Sequence, residues 1–455
     1  MIPSDTIAAV ATPPGTGGLA VIRVSGPRAL AIADRCFQPG RPSSPLPSVA
    51  PTHTVHHGYI HSENRRIDEV LLTVLRAPRT YTREDTVEIG CHGGPLVTRQ
   101  VLDTFLRAGA SLAEPGEFTR RAFLNGRLDL TQAEAVVDLI HARTQLALHA
   151  AHAQLAGHLS QHIHALRDDL LLVLAHVEAH IDFPDEDIDP ETGVALLRRL
   201  DSSRDLALRL TRSAPEGRLL REGARTVLLG RPNAGKSSLL NQLLGIDRAI
   251  VSPIPGTTRD TIEESANIRG LPVVFIDTAG LRDASDLIES EGIRRSHEAA
   301  QGADLVLCLL DLSAPPDPAD TALFSSAPPH KTLWIGNKSD LPTHPGHDQR
   351  PDLIRISCRT GEGMETLRDR IRDQLCAGGL GSDEAALAIN ARHLDALERT
   401  LTSIGHTREA LASGMPLDLV AVDLRAAVQA VGEIVGKTTT EDLLDRIFST
   451  FCLGK

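Results

Sequence analysis

Apolar positions along the chain change their period three times. From residue 1 to 126 they read as an α+β region. Ala20-Val21-Ile22-Arg23-Val24 alternates like a half-buried strand, and Val70 to Leu75 and Thr86-Val87-Glu88-Ile89 predict two more. Pro95 to Ala108 predicts a helix, and Pro39 to Pro51, with five prolines, a loop. From 127 to 217 the pattern is helical. Thr131-Gln132-Ala133-Glu134 fits a capping box. Behind it an Ala/Leu/His run to about Ile181 predicts two helices or one extended one, and Val194 to Ser213 another.

From 218 to 379 the pattern alternates strand with helix. Val273 to Ile276, Leu305 to Leu310, Thr332 to Ile335 and Leu353 to Ile356 are continuous apolar runs. Such runs suit strands buried on both faces of a mostly parallel sheet. Ile262 to Ile268 is expected to pair with Leu271 to Ile276 across a tight Arg269-Gly270 turn, and Met364 to Leu375 to close the region as a helix. From 380 to 455 the chain is helical again, at Ala385 to Ser413, Leu417 to Val435 and Thr440 to Ser449. Two helical arms flanking an α/β region predict one discontinuous helical domain with the α/β domain inserted.

Composition narrows the class. The 455 residues carry a formal charge of −12, which argues against a blanket electrostatic grip on nucleic acid. Aromatics are 3%, so the cores must be aliphatic. The six cysteines are scattered without a CxxC pair, which reads as reduced thiols in a cytoplasmic protein. No apolar run reaches the length of a membrane span. The histidines between His149 and His180 read as solvated helix faces, because no carboxylate or cysteine cluster joins them at metal-ligand spacing.

The chemistry lies in the third region. Gly230-Arg231-Pro232-Asn233-Ala234-Gly235-Lys236-Ser237, continued by Ser238, follows an apolar strand and opens a helix, the context of a phosphate loop. Lys236 is expected to reach the β- and γ-phosphates and Ser237 to hold Mg²⁺. Gly256-Thr257-Thr258-Arg259-Asp260 offers Thr258 as a second Mg²⁺ hydroxyl. Asp277-Thr278-Ala279-Gly280 ends a strand where a carboxylate would reach Mg²⁺ through water and the Gly280 amide the γ-phosphate. In Asn337-Lys338-Ser339-Asp340, Asp340 suits the N1–H and N2 amine of guanine and Asn337 its N7; adenine would leave that carboxylate unpaired. Ser357-Cys358-Arg359 would bring an amide to guanine O6. Leu281 stands where signalling GTPases place the water-orienting Gln, so another group must act. Arg282, Asp283, Asp286, Glu289 and Glu291 are the polar candidates.

On these motifs the chain resembles the MnmE (TrmE) family of bacterial tRNA-modification GTPases. Ala11 to Gly15, Gly93-Gly94-Pro95, Pro115 to Phe118, Arg121 to Asn125, Ile181 to Glu186 and the terminal Phe451-Cys452-Leu453-Gly454-Lys455 extend the resemblance along the chain. It implies an α+β N-terminal folate-binding and dimerisation domain (1–126). A discontinuous all-α helical domain (127–217 and 380–455) and an inserted Ras-like α/β P-loop GTPase domain (218–379) follow. It also implies a K⁺-dependent GTPase. With the FAD-carrying partner MnmG, in a heterotetramer, this enzyme installs a 5-carboxymethylaminomethyl or aminomethyl group on the wobble uridine, U34, of certain tRNAs. The one-carbon unit would come from 5,10-methylene- or 5-formyl-tetrahydrofolate. Family folate contacts fall on Arg23, Glu88, Arg127 and Lys455, and K⁺ ligands on Asn233, Ser252, Ile254 and Thr257. The nucleotide-binding segment includes Pro253, Pro255 and Gly256, and Glu289 matches the family's water-orienting glutamate. Cys452 is expected near the transferred carbon, set against the plainer reading of a packed tail residue. A ribosome-assembly GTPase, or a GTP-controlled scaffold without uridine chemistry, is the competing reading.

Overall fold

The computed structural model describes residues 5–63, 65–183, 190–245, 264–276, 298–317, 320, 324, 327–347, 352–376, 387–452 and 454. The chain divides into two compact units, residues 1–137 with 429–455, and residues 138–428.

The first unit is built on a seven-stranded sheet. Its strands are β1 Ile7–Val10, β2 Ala20–Ser25, β3 Phe37–Pro39, β4 Thr54–Ser62, β5 Arg65–Leu75, β6 Thr86–Cys91 and β7 Ser111–Leu112, in spatial order β3-β4-β5-β6-β2-β1-β7. All pairs are antiparallel except β1 with β7. Helices α1 Ala29–Cys36 and α2 Pro95–Arg107 cover one face, closing Ile22, Val24, Leu72, Val74, Val87 and Ile89 into a core with Ile32 and Phe105. The opposite face is half-buried and carries Arg23 opposite Glu88. Alternation along β2, β5 and β6 therefore sends apolar residues to the helices and polar ones to a candidate site.

Helix α3, Glu117–Leu124, follows β7, and α4, Leu130–His141, follows α3. The cap of α4 is two residues earlier than the sequence suggests. Asp129 accepts from the Gln132 amide and the Gln132 side chain accepts from the Asp129 amide, at 2.9 and 3.0 Å. Asp129 also takes the Thr131 hydroxyl, which removes Thr131 as the cap.

The Ala/Leu/His run forms three helices, not one or two. After α4 come α5 Gln145–Leu155 and α6 His158–Asp182. Thr144 caps α5 through the Ala147 amide, and Gly157, at φ +90°, opens α6. His162 and His176 turn Nδ1 onto carbonyls one turn back on their own helix. Helix α7, Pro190–Glu222, is longer than the apolar pattern indicated and runs through Pro215. Its tail leads straight into the nucleotide-type sheet, whose strands are β8 Ala224–Leu229, β9 Glu264–Ile268, β10 Leu271–Phe275, β11 Leu305–Asp311, β12 Thr332–Asn337 and β13 Ile354–Arg355.

The order is β13-β12-β11-β8-β10-β9, parallel except for the β9–β10 hairpin. Every residue of β10 is buried, and six of the seven in β11, as continuous apolar runs demand. Arg269 at φ +53° and Gly270 at φ +90° form the two-residue turn. Helices α8 Lys236–Leu244 and α9 Met364–Leu375 cover one face. Helix α10, Ala391–Ala412, packs along α7, and α11, Leu417–Val435, leads to α12, Glu441–Phe448. Among the described residues no helix is long and apolar enough to cross a membrane.

Candidate functional sites

The phosphate loop leaves β8 at Gly230, where a Cβ would come within 2.8 Å of the Leu309 carbonyl oxygen. Asn233 at φ +65° and Gly235 at φ +100° then turn the backbone into the N-terminus of α8. That terminus carries the positive end of the helix dipole, a feature that favours a phosphate. Lys236 lies inside the loop, its Nζ donating to the carbonyls of Gly230 at 2.6 Å and Arg231 at 2.9 Å. Burial pushes its pKa below the ordinary lysine value.

The loop is tied to the ends of two other strands. Asn337, the last residue of β12, donates from Nδ2 to the Ala234 carbonyl at 2.9 Å and accepts the Cys358 amide on Oδ1 at 3.1 Å. Asp340 accepts from the Ser357 hydroxyl at 2.6 Å and pairs with Arg359 Nε at 3.1 Å. The Ser357 bond is the main reason its carboxyl is held below the usual range. Lys338 reaches back to Asp311 at the end of β11. Asn233, Ala234, Gly235, Lys236, Asn337, Lys338, Asp340, Ser357, Cys358 and Arg359 thus converge at the carboxyl ends of parallel strands, where open α/β sheets bind ligands. Ser237 and Ser238 begin α8 beside them.

Ser252, Pro253, Ile254, Pro255, Gly256, Thr257, Thr258, Asp277, Thr278, Ala279, Gly280, Leu281 and Glu289 lie outside the described residues. Two contacts carried no sequence signal. Gln242 donates to the Cys358 carbonyl at 3.0 Å, and Arg231 pairs with Asp317 at 2.8 Å and Asp320 at 2.9 Å. Both act through residues distant in sequence.

The second cluster belongs to the first unit. Arg23 and Glu88 are direct partners across β2 and β6, and the guanidinium meets the carboxylate through Nε at 2.9 Å and NH2 at 2.8 Å. Arg23 also lies 5.6 Å from the ring centroids of both Tyr81 and Phe118. Arg127 stands 4.8 Å from the Tyr81 centroid. The C-terminal tail enters the same place. Arg23 NH1 donates to the Gly454 carbonyl at 3.4 Å, and the Gly116 amide donates to the Cys452 carbonyl at 3.4 Å. Gly454 adopts φ +86°, and a Cβ there would lie 2.3 Å from the Val10 carbonyl oxygen. A Cβ at Gly116 would lie 2.5 Å from the Phe448 carbonyl oxygen. The tail is seated by two glycines and by Phe451, buried on Phe448. Arg23, Glu88, Arg127 and the tail are therefore brought together, and Lys455 lies outside the described residues. Tyr81 was not legible as a member, since its ring gains meaning only from the two arginines. Among the described residues no group of three or more His, Cys, Asp or Glu could hold a metal ion.

Comparison with known proteins decides the family. Residues 6–127 match the family model described as the N-terminus of the GTP-binding protein TrmE, and residues 130–452 that of the MnmE helical domain. The chain is 48% identical over 459 residues to a Chloroflexus aurantiacus protein, across 99% of this chain and 100% of that one. It is 47% identical over 466 residues to one from Moorella thermoacetica and 44% over 458 residues to one from Listeria welshimeri, with 99% of each chain covered. All three are named tRNA modification GTPase MnmE. The chain belongs to the MnmE family. Its three fold types are those read from the sequence, an α+β N-terminal region, a discontinuous helical region and a Ras-like P-loop region. Like its MnmE relatives it is a GTP hydrolase.

Proposed function

We propose that this MnmE-family chain is a K⁺-dependent GTPase of tRNA modification. In this reading it works with an FAD-carrying flavoprotein of the MnmG kind on the wobble uridine, U34, of certain tRNAs. It installs a 5-carboxymethylaminomethyl or aminomethyl group using a one-carbon unit from 5,10-methylene- or 5-formyl-tetrahydrofolate. The observation that carries the reading, in a chain whose other unit holds a guanine-type cradle, is the seating of the C-terminal tail beside Arg23 and Glu88. That seating gathers Cys452, two guanidiniums and a carboxylate in one place, a group able to hold an anionic heterocycle beside a thiol.

In the GTPase half, the residues suit a triphosphate. Lys236 is part-buried and its ammonium donates to two backbone carbonyls, so phosphate oxygens would restore the charged form that burial disfavours. Gly235 leaves no room for a Cβ, as expected of a loop that must approach its ligand through the backbone. Asp340 and Asn337 would read the base, with Ser357 holding the carboxylate in place. Ser237 and Thr258 would hold Mg²⁺, and Asn233, Ser252, Ile254 and Thr257 would hold K⁺. When bound, these ions supply positive charge against the β- and γ-phosphates. Glu289 would orient the attacking water in place of the Gln that Leu281 replaces. Arg23, Glu88, Arg127 and Lys455 would hold the folate. Domains at 1–126, 127–217 with 380–455, and 218–379, a homodimer, a heterotetramer with the flavoprotein and a cytoplasmic location complete the proposal.

The test is reconstitution. The purified chain with the flavoprotein, a tetrahydrofolate, GTP and K⁺ should alter U34 of an unmodified tRNA, detected by nucleoside mass spectrometry. GTP turnover with no change in the tRNA would favour the scaffold reading instead.

A further inference from the structure

The sequence motif Arg121-Ala122-Phe123-Leu124-Asn125 has no part in the chemistry above, yet its last residue shapes the cleft. Asn125 donates from Nδ2 to the Thr82 carbonyl at 2.7 Å, and Arg83 NH1 donates back to the Asn125 carbonyl at 2.9 Å. The Thr80 hydroxyl closes the segment on the Glu84 carbonyl at 2.7 Å, and the Thr82 hydroxyl bonds Ser25 of β2 at 2.6 Å. The segment around residue 81 is thereby fixed from both sides, to the sheet and to the turn that carries Arg127.

Tyr81 stands at the middle of this frame. Its hydroxyl bonds Thr119 at 2.9 Å, and its ring packs against the small core of Ile7, Ala9 and Phe118. Its π-system is shared by two guanidiniums, Arg23 at 5.6 Å and Arg127 at 4.8 Å. The two cations differ in their support. Arg23 is held by Glu88 and the Gly454 carbonyl as well as by two rings. Arg127 is exposed, on a turn whose Gly126 adopts φ +68°. An exposed arginine has many rotamers to lose on meeting a ligand, and a ring that already holds its guanidinium removes part of that cost.

We propose that Tyr81 is a positioning residue of the folate cleft. It holds the Arg127 guanidinium at a fixed distance from Arg23, so that the two cations meet an anionic, flat heterocyclic ligand together. This rests on the folate reading above and adds a residue to it. Tyr81 acts through Arg127, so its effect should vanish when Arg127 is removed.

The experiment is isothermal titration of 5-formyltetrahydrofolate into the full chain. Tyr81→Phe keeps the ring and should bind within about twofold of wild type. Tyr81→Leu should bind about tenfold more weakly, the loss expected of one partly desolvated cation–π contact. In an Arg127→Ala background, Tyr81→Leu should cause no further loss, the signature of coupled residues. Wild-type affinity in Tyr81→Leu, or an equal loss with and without Arg127, would overturn the assignment. If that happens while Arg23→Ala still abolishes binding, the folate reading stands and only the role of Tyr81 falls. Absence of binding to the wild type would overturn the folate reading and this inference with it.

Discussion

Asn337 donates to the Ala234 carbonyl at 2.9 Å, so the strand end proposed to read the base is bonded to the loop proposed to hold the phosphates. The same side chain accepts the Cys358 amide, which adds the Ser357-Cys358-Arg359 turn to the assembly. One amide side chain thus joins three segments scattered over more than a hundred residues. In the proposed reading base selection and phosphate binding share this link, so a change at either end is expected to affect the other.

Base choice rests on Asp340. We expect GTP to be hydrolysed and ATP not, because adenine leaves this carboxylate unpaired. Asp340→Asn should weaken GTP roughly 10–100-fold, the effect of one unmade buried hydrogen-bond set, and should improve binding of xanthosine triphosphate. The Ser357 bond lowers the pKa of Asp340, so the carboxylate keeps its charge above the ordinary carboxylate range and loses it only as pH falls below that range. GTP affinity should therefore stay flat from pH 8 down to pH 5 as far as this group is concerned. Equal turnover of ATP and GTP in a phosphate-release assay would refute the assignment.

Gly235 offers a sharper structural test. It adopts φ +100°, and a Cβ there would lie 2.2 Å from Asn337 Nδ2. Gly235→Ala should displace Asn337 from Ala234 and strain the backbone, at about 1–3 kcal/mol. We expect a lowered thermal midpoint together with a large loss of GTP affinity. A variant that binds GTP normally would show that the Asn337 link is dispensable.

The proposed cation dependence rests on Leu281 and Asn233. Charge stabilisation at this step is worth ~10³–10⁵ where an arginine supplies it, so replacing K⁺ by Na⁺ should slow hydrolysis by at least on the order of tenfold. Asn233→Ala should remove the difference between the two ions. Glu289→Ala should lower turnover with little change in nucleotide affinity. Rates measured in matched K⁺ and Na⁺ buffers decide it, and equal rates count against the cation scheme.

Arg121 tests the frame beneath the cleft. It is 1% exposed and bonds Asp5 at 2.7 Å, Glu117 at 2.7 Å and Glu84 at 3.3 Å. Removing one partner of a buried ionic cluster costs about 3–5 kcal/mol, since the remaining charges lose their compensation. Arg121→Leu should lower the thermal midpoint by several degrees, whereas Arg120→Leu, which loses an ion pair to the exposed Asp445, should barely move it. Similar shifts for the two variants in a thermal melt would contradict this account.

The G-type sheet was legible because its strands are buried on both faces. Leu305 to Leu310 has no polar interruption, and Arg269-Gly270 fixes its hairpin by itself. The first unit was harder. Strand β1, Ile7–Val10, is four residues of one polarity, and β4 hides its alternation among His56, His57, Gly58 and His61. The break before α5 comes from Thr144 alone, without proline or glycine at the helix end. Lys236, Asn337 and Asp340 announced themselves because their chemistry is tied to short fixed spacings. Tyr81 and Gln242 did not, because each acts through a partner far along the chain, at Arg127 and Cys358.

Cys452 carries the last prediction. If it were only a packed tail residue, it should be the residue that anchors the tail. The anchor is instead Phe451, 6% exposed and 5.2 Å from the Phe448 ring, while Cys452 stays half-buried next to it. The backbone on either side is pinned, by Gly116 at Cys452 and by Arg23 at Gly454. A thiol held on a fixed backbone but left partly open is accessible to a ligand in the cleft. We expect Cys452→Ser to keep folding, to keep GTP affinity and K⁺-stimulated hydrolysis, whose residues lie in the other unit, and to abolish tRNA modification in the reconstituted system. Phe451→Ala should lose about 3–5 kcal/mol of tail packing and impair modification through misplacement of the same thiol. If Cys452→Ser modifies tRNA at the normal rate while Phe451→Ala does not, the tail serves only to close the cleft and the thiol has no chemical part.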